Sequence, residues 1–227
     1  MNSTLEKIDL VAAFLAGLDA QELAVVPNFI MGSVITPGSD LVMGVGPSIL
    51  YEALKRSGGC SSDQISEWLR VTGDIGLVAF QVVEKKKPIG FAAFTGENQI
   101  SISEIHKRFL DIAKTSGKRS QDIKIKNLQY LFSQSSPLEA LYIARLAIED
   151  LRIGIGEGGA RDAIAKAFHQ PVDLVERSYN LTNDMGLVAL NARNGTLSQL
   201  SVMLNHPIKM MLAQLGESIP AAFKEMG

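Results

Sequence analysis

The sequence is short of cysteine, histidine, tryptophan and surplus charge. One cysteine, Cys60, cannot form an internal disulfide, so a reducing, cytoplasmic setting is expected. Three histidines, His106, His169 and His206, are scattered, and no two ligand types stand at a zinc spacing. No run of eighteen apolar residues exists, so no membrane-spanning helix is expected. The opening Leu5-Glu6-Lys7-Ile8-Asp9 is charged and amphipathic, unlike a signal peptide. The chain is 227 residues long, 46% hydrophobic and 20% charged, too apolar for a disordered tail and long enough for a sizeable core.

Net charge is only −2, which argues against a strongly basic nucleic-acid binder. The average hides a gradient. Residues 1–84 hold 4 basic and 10 acidic side chains; residues 85–126 hold 10 and 4; residues 127–227 hold 8 and 10. The middle stretch is a local basic block. It reads either as a solvated face or as a patch for phosphates.

What is plentiful is helix signal, and the expected class is all-α, with ten to twelve helices. Capping boxes are expected at Asp19–Glu22, Ser61–Gln64, Ser101–Glu104 and Ser136–Glu139, the last with Pro137 at the first helical position. Leu141, Ala144, Ile148 and Leu151 then recur at helical spacing. Pro27 should kink or break the helix that starts near Asp19. Trp68 reads as core, and residues 88–102 as a loop.

The sharpest feature is internal. A shift of 110 residues lays Gly44-Val45-Gly46 on Gly154-Ile155-Gly156. The same shift lays Thr72–Ala79 on Thr182–Ala189, with six of eight positions identical. Two similar helical units, about 20–80 and 137–190, are expected to pack as a pseudo-symmetric pair in one compact domain, with the basic block 85–126 mainly between them. Each unit carries Gly-x-Gly at the opening of a helix. Gly46 reads as N-cap before Pro47, and Gly156-Glu157-Gly158-Gly159 leads into the second helix. Such openings have unpaired N–H groups and the positive end of a helix dipole, so they suit phosphate. Two readings fit: tight turns between packed helices, or a pair of phosphate cradles on opposite strands of a duplex. Asp74 and Asp184 hold equivalent repeat positions, where helix capping or turn bonding suits them better than metal binding.

Neither glycine pair follows a strand, and no Gly-Lys-Ser/Thr follows either, so dinucleotide and Walker folds do not fit. A phosphate-ester enzyme would need a clustered acid–base pair, and the sequence suggests none.

At these residues the sequence resembles the N-terminal DNA-binding domain of archaeal ATP-dependent DNA ligases, shared with eukaryotic replicative ligases. The segments that carry the resemblance are Asp150–Gly158, Tyr179–Ala189, Gly73–Ala79, Ser136–Ala140 and Pro207–Ala213. The family usually has proline where this chain has Met210. The resemblance covers essentially residues 5–214, with residues 215–227 as a linker toward a catalytic domain.

The resemblance implies an all-helical domain that grips nicked duplex DNA along its backbone and minor groove, without sequence preference. Matched position by position, Gly44, Gly46, Gly154, Gly156 and Gly158 would present backbone N–H groups to phosphates. Arg152 would pair with the DNA backbone. Lys118, Arg119 and Ser120, with Lys124 just inside the next helix, match a central DNA-contacting turn. Lys209 would lie in the segment that follows the DNA. The chemistry is expected elsewhere, because no lysine here is followed by x-Asp-Gly, the pattern that takes AMP. No catalytic residue and no metal ligand is assigned. ATP and magnesium are expected with nucleotidyltransferase and OB-fold domains soon after residue 227, and the isolated chain should not ligate. Phe91 and Phe94 stand where such ligases often carry a sliding-clamp peptide. The usual glutamine is missing, so they read either as loop anchors or as that peptide. The reading from a different class is a helical interaction scaffold whose glycine turns only pack.

Overall fold

Several helix starts are fixed by a few local residues. The computed structural model describes residues 3–36, 39–85, 100–202, 204 and 207–209. Among them run twelve α-helices and no strand. The first six are α1 Thr4–Gly17, α2 Ala20–Leu23, α3 Val26–Ile30, α4 Pro47–Gly58, α5 Ser62–Thr72 and α6 Ile75–Lys85. There follow α7 Ile102–Lys114, α8 Ser120–Gln134, α9 Pro137–Ala147, α10 Glu157–Ala167, α11 Val172–Thr182 and α12 Met185–Asn194. Phe91, Phe94, Lys86, Lys87, His206 and residues 210–227 lie outside the described residues, and with them the clamp-peptide and linker expectations.

Ser61 with Gln64 and Ser136 with Glu139 close full capping boxes. So does Ser3 with Glu6, which the sequence reading missed. Asp19 caps α2 by accepting from Glu22 N. The Ser101 cap is half a box: Ser101 accepts from Glu104 N, while the Glu104 carboxylate bonds Arg108 Nε at 2.7 Å instead. Pro27 does end the early helix, since α2 stops at Leu23 and Pro27 enters the first turn of α3. Helix α9 is shorter than its apolar spacing suggests. Glu149 turns left-handed at φ 56°, and Asp150 N reaches back to Arg145 O at 2.9 Å, a Schellman-type stop. Ile148 and Leu151 therefore pack from the turn rather than the helix. Trp68 is half-buried at the edge of the core, with Lys85 Nζ 4.3 Å over its ring, rather than a fully buried core residue.

The apolar side chains sort into two cores. One gathers Leu50, Ala53 and Leu54 of α4, Ile65 of α5, Val78, Ala79 and Val82 of α6, with Phe109, Leu128, Phe132 and Ile143 from α7, α8 and α9. The other gathers Ala163 and Ile164 of α10, Val175 of α11 and Val188 and Ala189 of α12. It is closed by Ile8, Ala12 and Leu15 of α1 with Leu23, Val26 and Ile30. Helices α1–α3 thus cover the far helices α10–α12, while α8 and α9 cover α4–α6. Packing crosses the sequence units rather than following them. Helices α4, α5 and α6 begin at 47, 62 and 75, and α10, α11 and α12 begin at 157, 172 and 185, each 110 residues later.

Two glycines set the closest approaches between these layers. A Cβ on Gly76 would stand 2.8 Å from Leu141 O, and one on Gly186 only 1.9 Å from Ala24 O. Among the described residues no helix is long and apolar enough to cross a membrane.

Candidate nucleic-acid interface

The first glycine turn precedes α4. Gly44 is left-handed at φ 52°, and Gly46 is the extended N-cap with Pro47 at the first helical position. Among the described residues no side chain caps this end, and space is open around a Cβ placed on Gly46. Lys124, the fifth residue of α8, reaches the turn. It is buried, and its Nζ donates to Met43 O at 2.7 Å and to Gly44 O at 3.4 Å. Burial pushes its ammonium below the usual lysine range.

The second turn precedes α10. Gly154 is left-handed at φ 68°, and Gly156 is the extended N-cap, again without a side-chain cap. The space around Gly156 and Gly158 is open. The backbone N–H groups of Glu157, Gly158 and Gly159 find no acceptor among the described residues, since the helix's own bonding begins with Ala160 N to Gly156 O. Here the supporting lysine is Lys7 of α1, whose Nζ lies 3.4 Å from Ile153 O and 3.5 Å from Gly154 O. Sequence reading missed Lys7, because the contact spans most of the chain and no local pattern marks it.

Two arginines stand in left-handed backbone, Arg152 just before the second turn at φ 56° and Arg119 at the opening of α8 at φ 69°. That conformation costs a side-chain-bearing residue roughly 1–2 kcal/mol. Such strain persists where the surroundings impose it, often at functional sites. Arg119 is the N-cap of α8, next to Gly117 at φ 81° and exposed Lys118, with Ser120 as the first helical residue. Neither Lys118 nor Arg119 forms an ion pair among the described residues. Arg152 is half-exposed and bonds Asp150 Oδ2 at 2.6 Å.

Arg152 also reaches the corner between α5 and α6. Its Nη1 lies 3.5 Å from Gly73 O and 4.0 Å from Asp74 Oδ2. A cleft of about 180 Å³ is lined by Pro47, Gly73, Asp74, Arg145 and Arg152, so the residue ahead of the second turn sits beside the helix opened by the first. Asp74 is the buried anchor of this cleft. Its Oδ1 accepts from Gly76 N at 2.8 Å, a cap as expected, and its Oδ2 meets Arg145 Nη2 at 2.5 Å, a partner the sequence did not reveal. Burial pushes the carboxyl up, but Arg145, the Gly76 N–H and Arg152 outweigh it and hold it below the usual aspartate range. Asp184 caps α12 in the same way, accepting from Gly186 N and Leu187 N, and takes Asn28 Nδ2 where Asp74 has arginine.

Lys209 comes to the second turn as well. Its ammonium pairs with Glu157, its backbone N bonds Asn180 O at 3.0 Å, and its Nζ lies 5.1 Å from the Tyr179 ring centre. Among the described residues no three His, Cys, Asp or Glu side chains group to hold a metal ion.

The geometry brings the glycine turns, Arg152 and Lys209 onto helix openings. Residues 1–165 match the family model described as DNA ligase N terminus. The chain belongs to this DNA ligase N-terminus family. A DNA ligase from Methanothrix thermoacetophila is 56% identical over 99% of this chain. DNA ligase 2 of Methanosarcina mazei is 45% identical over 100% of it, and the DNA ligase of Archaeoglobus fulgidus 39% over 100%. The chain spans about 40% of the length of these ligases, at 40%, 41% and 41%. It corresponds to their N-terminal domain.

Proposed function

We propose that this chain binds nicked double-stranded DNA without sequence preference, as the DNA-binding domain of an ATP-dependent ligase acting in replication and repair. The observation that carries the reading is the pair of uncapped glycine turns at exposed helix openings, in a member of the ligase N-terminus family. Helix openings with free N–H groups favour anions. In this reading an approximate two-fold axis relates the turns, and each takes a phosphate on one strand. Gly44, Gly46, Gly154, Gly156 and Gly158 contribute backbone and leave room for the sugar-phosphate chain. Lys118, Arg119, Ser120, Arg152 and Lys209 contribute side chains. Lys124, being buried on the first turn, serves the DNA through that turn. Contacts of this type position a duplex without reading its bases. Nucleotide transfer from ATP with magnesium would belong to the nucleotidyltransferase and OB-fold domains, and clamp binding to the stretch around Phe91 and Phe94.

Salt tests the reading. Neutralising four or five phosphates makes affinity for a nicked duplex fall ~10²-fold or more between about 50 and 200 mM salt. Fluorescence anisotropy with a nicked hairpin measures it. No binding at 50 mM, or a flat dependence, would instead favour a protein-interaction scaffold.

A further inference from the structure

The two glycine turns share a support that their sequences do not announce. In each, two successive carbonyls, those of Met43 and Gly44 or of Ile153 and Gly154, face one lysine ammonium from a neighbouring helix. The carbonyl pairs stand at equivalent repeat positions, yet the lysines come from helices far apart in the chain: Lys124 from α8, after the first turn, and Lys7 from α1, well before the second. Each left-handed glycine keeps the place clear. A Cβ would lie 2.8 Å from Lys124 Nζ at Gly44 and 2.7 Å from Lys7 Nζ at Gly154.

We propose that Lys7 and Lys124 are paired positioning residues, each holding one glycine turn from behind for a DNA phosphate in front; this rests on the DNA-binding reading above. An ammonium has three donors and no acceptor, so it can serve two carbonyls at once. With those carbonyls occupied on the protein side, the turn is kept in the form whose later N–H groups, toward Gly46 and Gly156, have no acceptor among the described residues. The ammoniums, buried for Lys124 and half-buried for Lys7, also place positive charge beneath each phosphate site and add to its field. The lysines act through the turn and not by touching DNA.

The test uses the whole 227-residue chain. Lys7→Met and Lys124→Met keep the aliphatic stem and delete the ammonium. Each should weaken binding to a nicked duplex by about 10-fold, the size of one charge-assisted hydrogen-bond pair. Lys7→Arg should stay within about 3-fold of the parent, because charge and donors remain. Lys7→Met should add nothing to Gly154→Ala, whose turn is already displaced, but should multiply with Gly44→Ala. Lys124→Met should show the reverse. Without DNA, amide spectra should show Lys7→Met moving the Gly154 and Gly156 signals and leaving those of Gly44 and Gly46 in place. A Lys7→Met chain that binds like the parent, or multiplies equally with both glycine variants, overturns the paired role while the DNA reading stands. A parent chain that ignores nicked duplex at 50 mM salt overturns the DNA reading and the role with it, and is recognised by failing before any substitution is made.

Discussion

The two glycine turns share left-handed Gly44 and Gly154 and extended Gly46 and Gly156, but not the same margins. The first is tightly held and donor-poor. Lys124 is buried against it at 2.7 Å, and Pro47 removes one N–H from the opening of α4. The second is looser and donor-rich, with Lys7 at 3.4 and 3.5 Å, three N–H groups without acceptors among the described residues, and a Glu157–Lys209 pair at its lip. The layers behind them differ too. The α6 side is anchored by a buried aspartate–arginine pair, whereas the α12 side uses aspartate with asparagine and a tighter glycine contact. Similar sequence motifs thus reach similar backbone geometry with different reserves of packing and charge.

The harshest way to break this comparison is at the contact glycines. Gly186→Ala drives a methyl into the Ala24 carbonyl and should cost ~3 kcal/mol or more; Gly76→Ala should cost about 1–3 kcal/mol, since part of what it meets is the movable Arg145 side chain. Urea unfolding gives both, and equal costs would erase the asymmetry. Next is the anchor. Asp74→Asn leaves Arg145 without its anion and should cost about 2–3 kcal/mol, whereas Asp184→Asn keeps a capping oxygen and should cost about 1 kcal/mol or less.

The turns themselves come third. Gly46→Val and Gly156→Val meet open space at extended backbone, so helix content by circular dichroism should hold while binding to nicked duplex weakens. The second variant should lose more, because its turn offers more donors. Arg152→Ala should lower affinity alike for all sequences and reduce the salt slope by about one. A loss confined to some sequences would contradict backbone contact.

Acid gives a milder probe. Because Asp74 is held below its unfolded value, its stabilisation is present above about pH 4 and is lost as pH falls through the folded value. Asp74→Asn should flatten that part of the pH profile. The smallest effect belongs to His106, whose burial lowers its folded value. Its unfolded form takes up protons first, so stability should decline slightly as pH drops below about 6.5, and His106→Phe should remove that decline.

Much of this was legible in the sequence because it is local. Ser61, Ser136 and Pro137 start helices wherever they stand, and a repeat of Thr-x-Asp-x-Gly-Leu-Val-Ala shows itself in any alignment of the chain with itself. The glycine turns were marked the same way. What stayed hidden is carried by distance along the chain. Arg145 finds Asp74, and Lys7 finds Gly154, only after the helices have packed. The early stop of α9 was hidden for a different reason: Glu149 takes a left-handed position that glycine usually announces.

The crossing of α1–α3 onto α10–α12 fixes an order of events during synthesis. Residues 4–30 emerge long before the helices at 157–194 that share their core. Until then Ile8, Ala12, Leu15, Leu23, Val26 and Ile30 lack those partners, while α4–α9 already have one another and take in Phe29 of α3. The far turn and the lysine behind it come together only when nearly all of these helices have been made, so this is the part of the fold most exposed to premature association and most in need of protection on the ribosome.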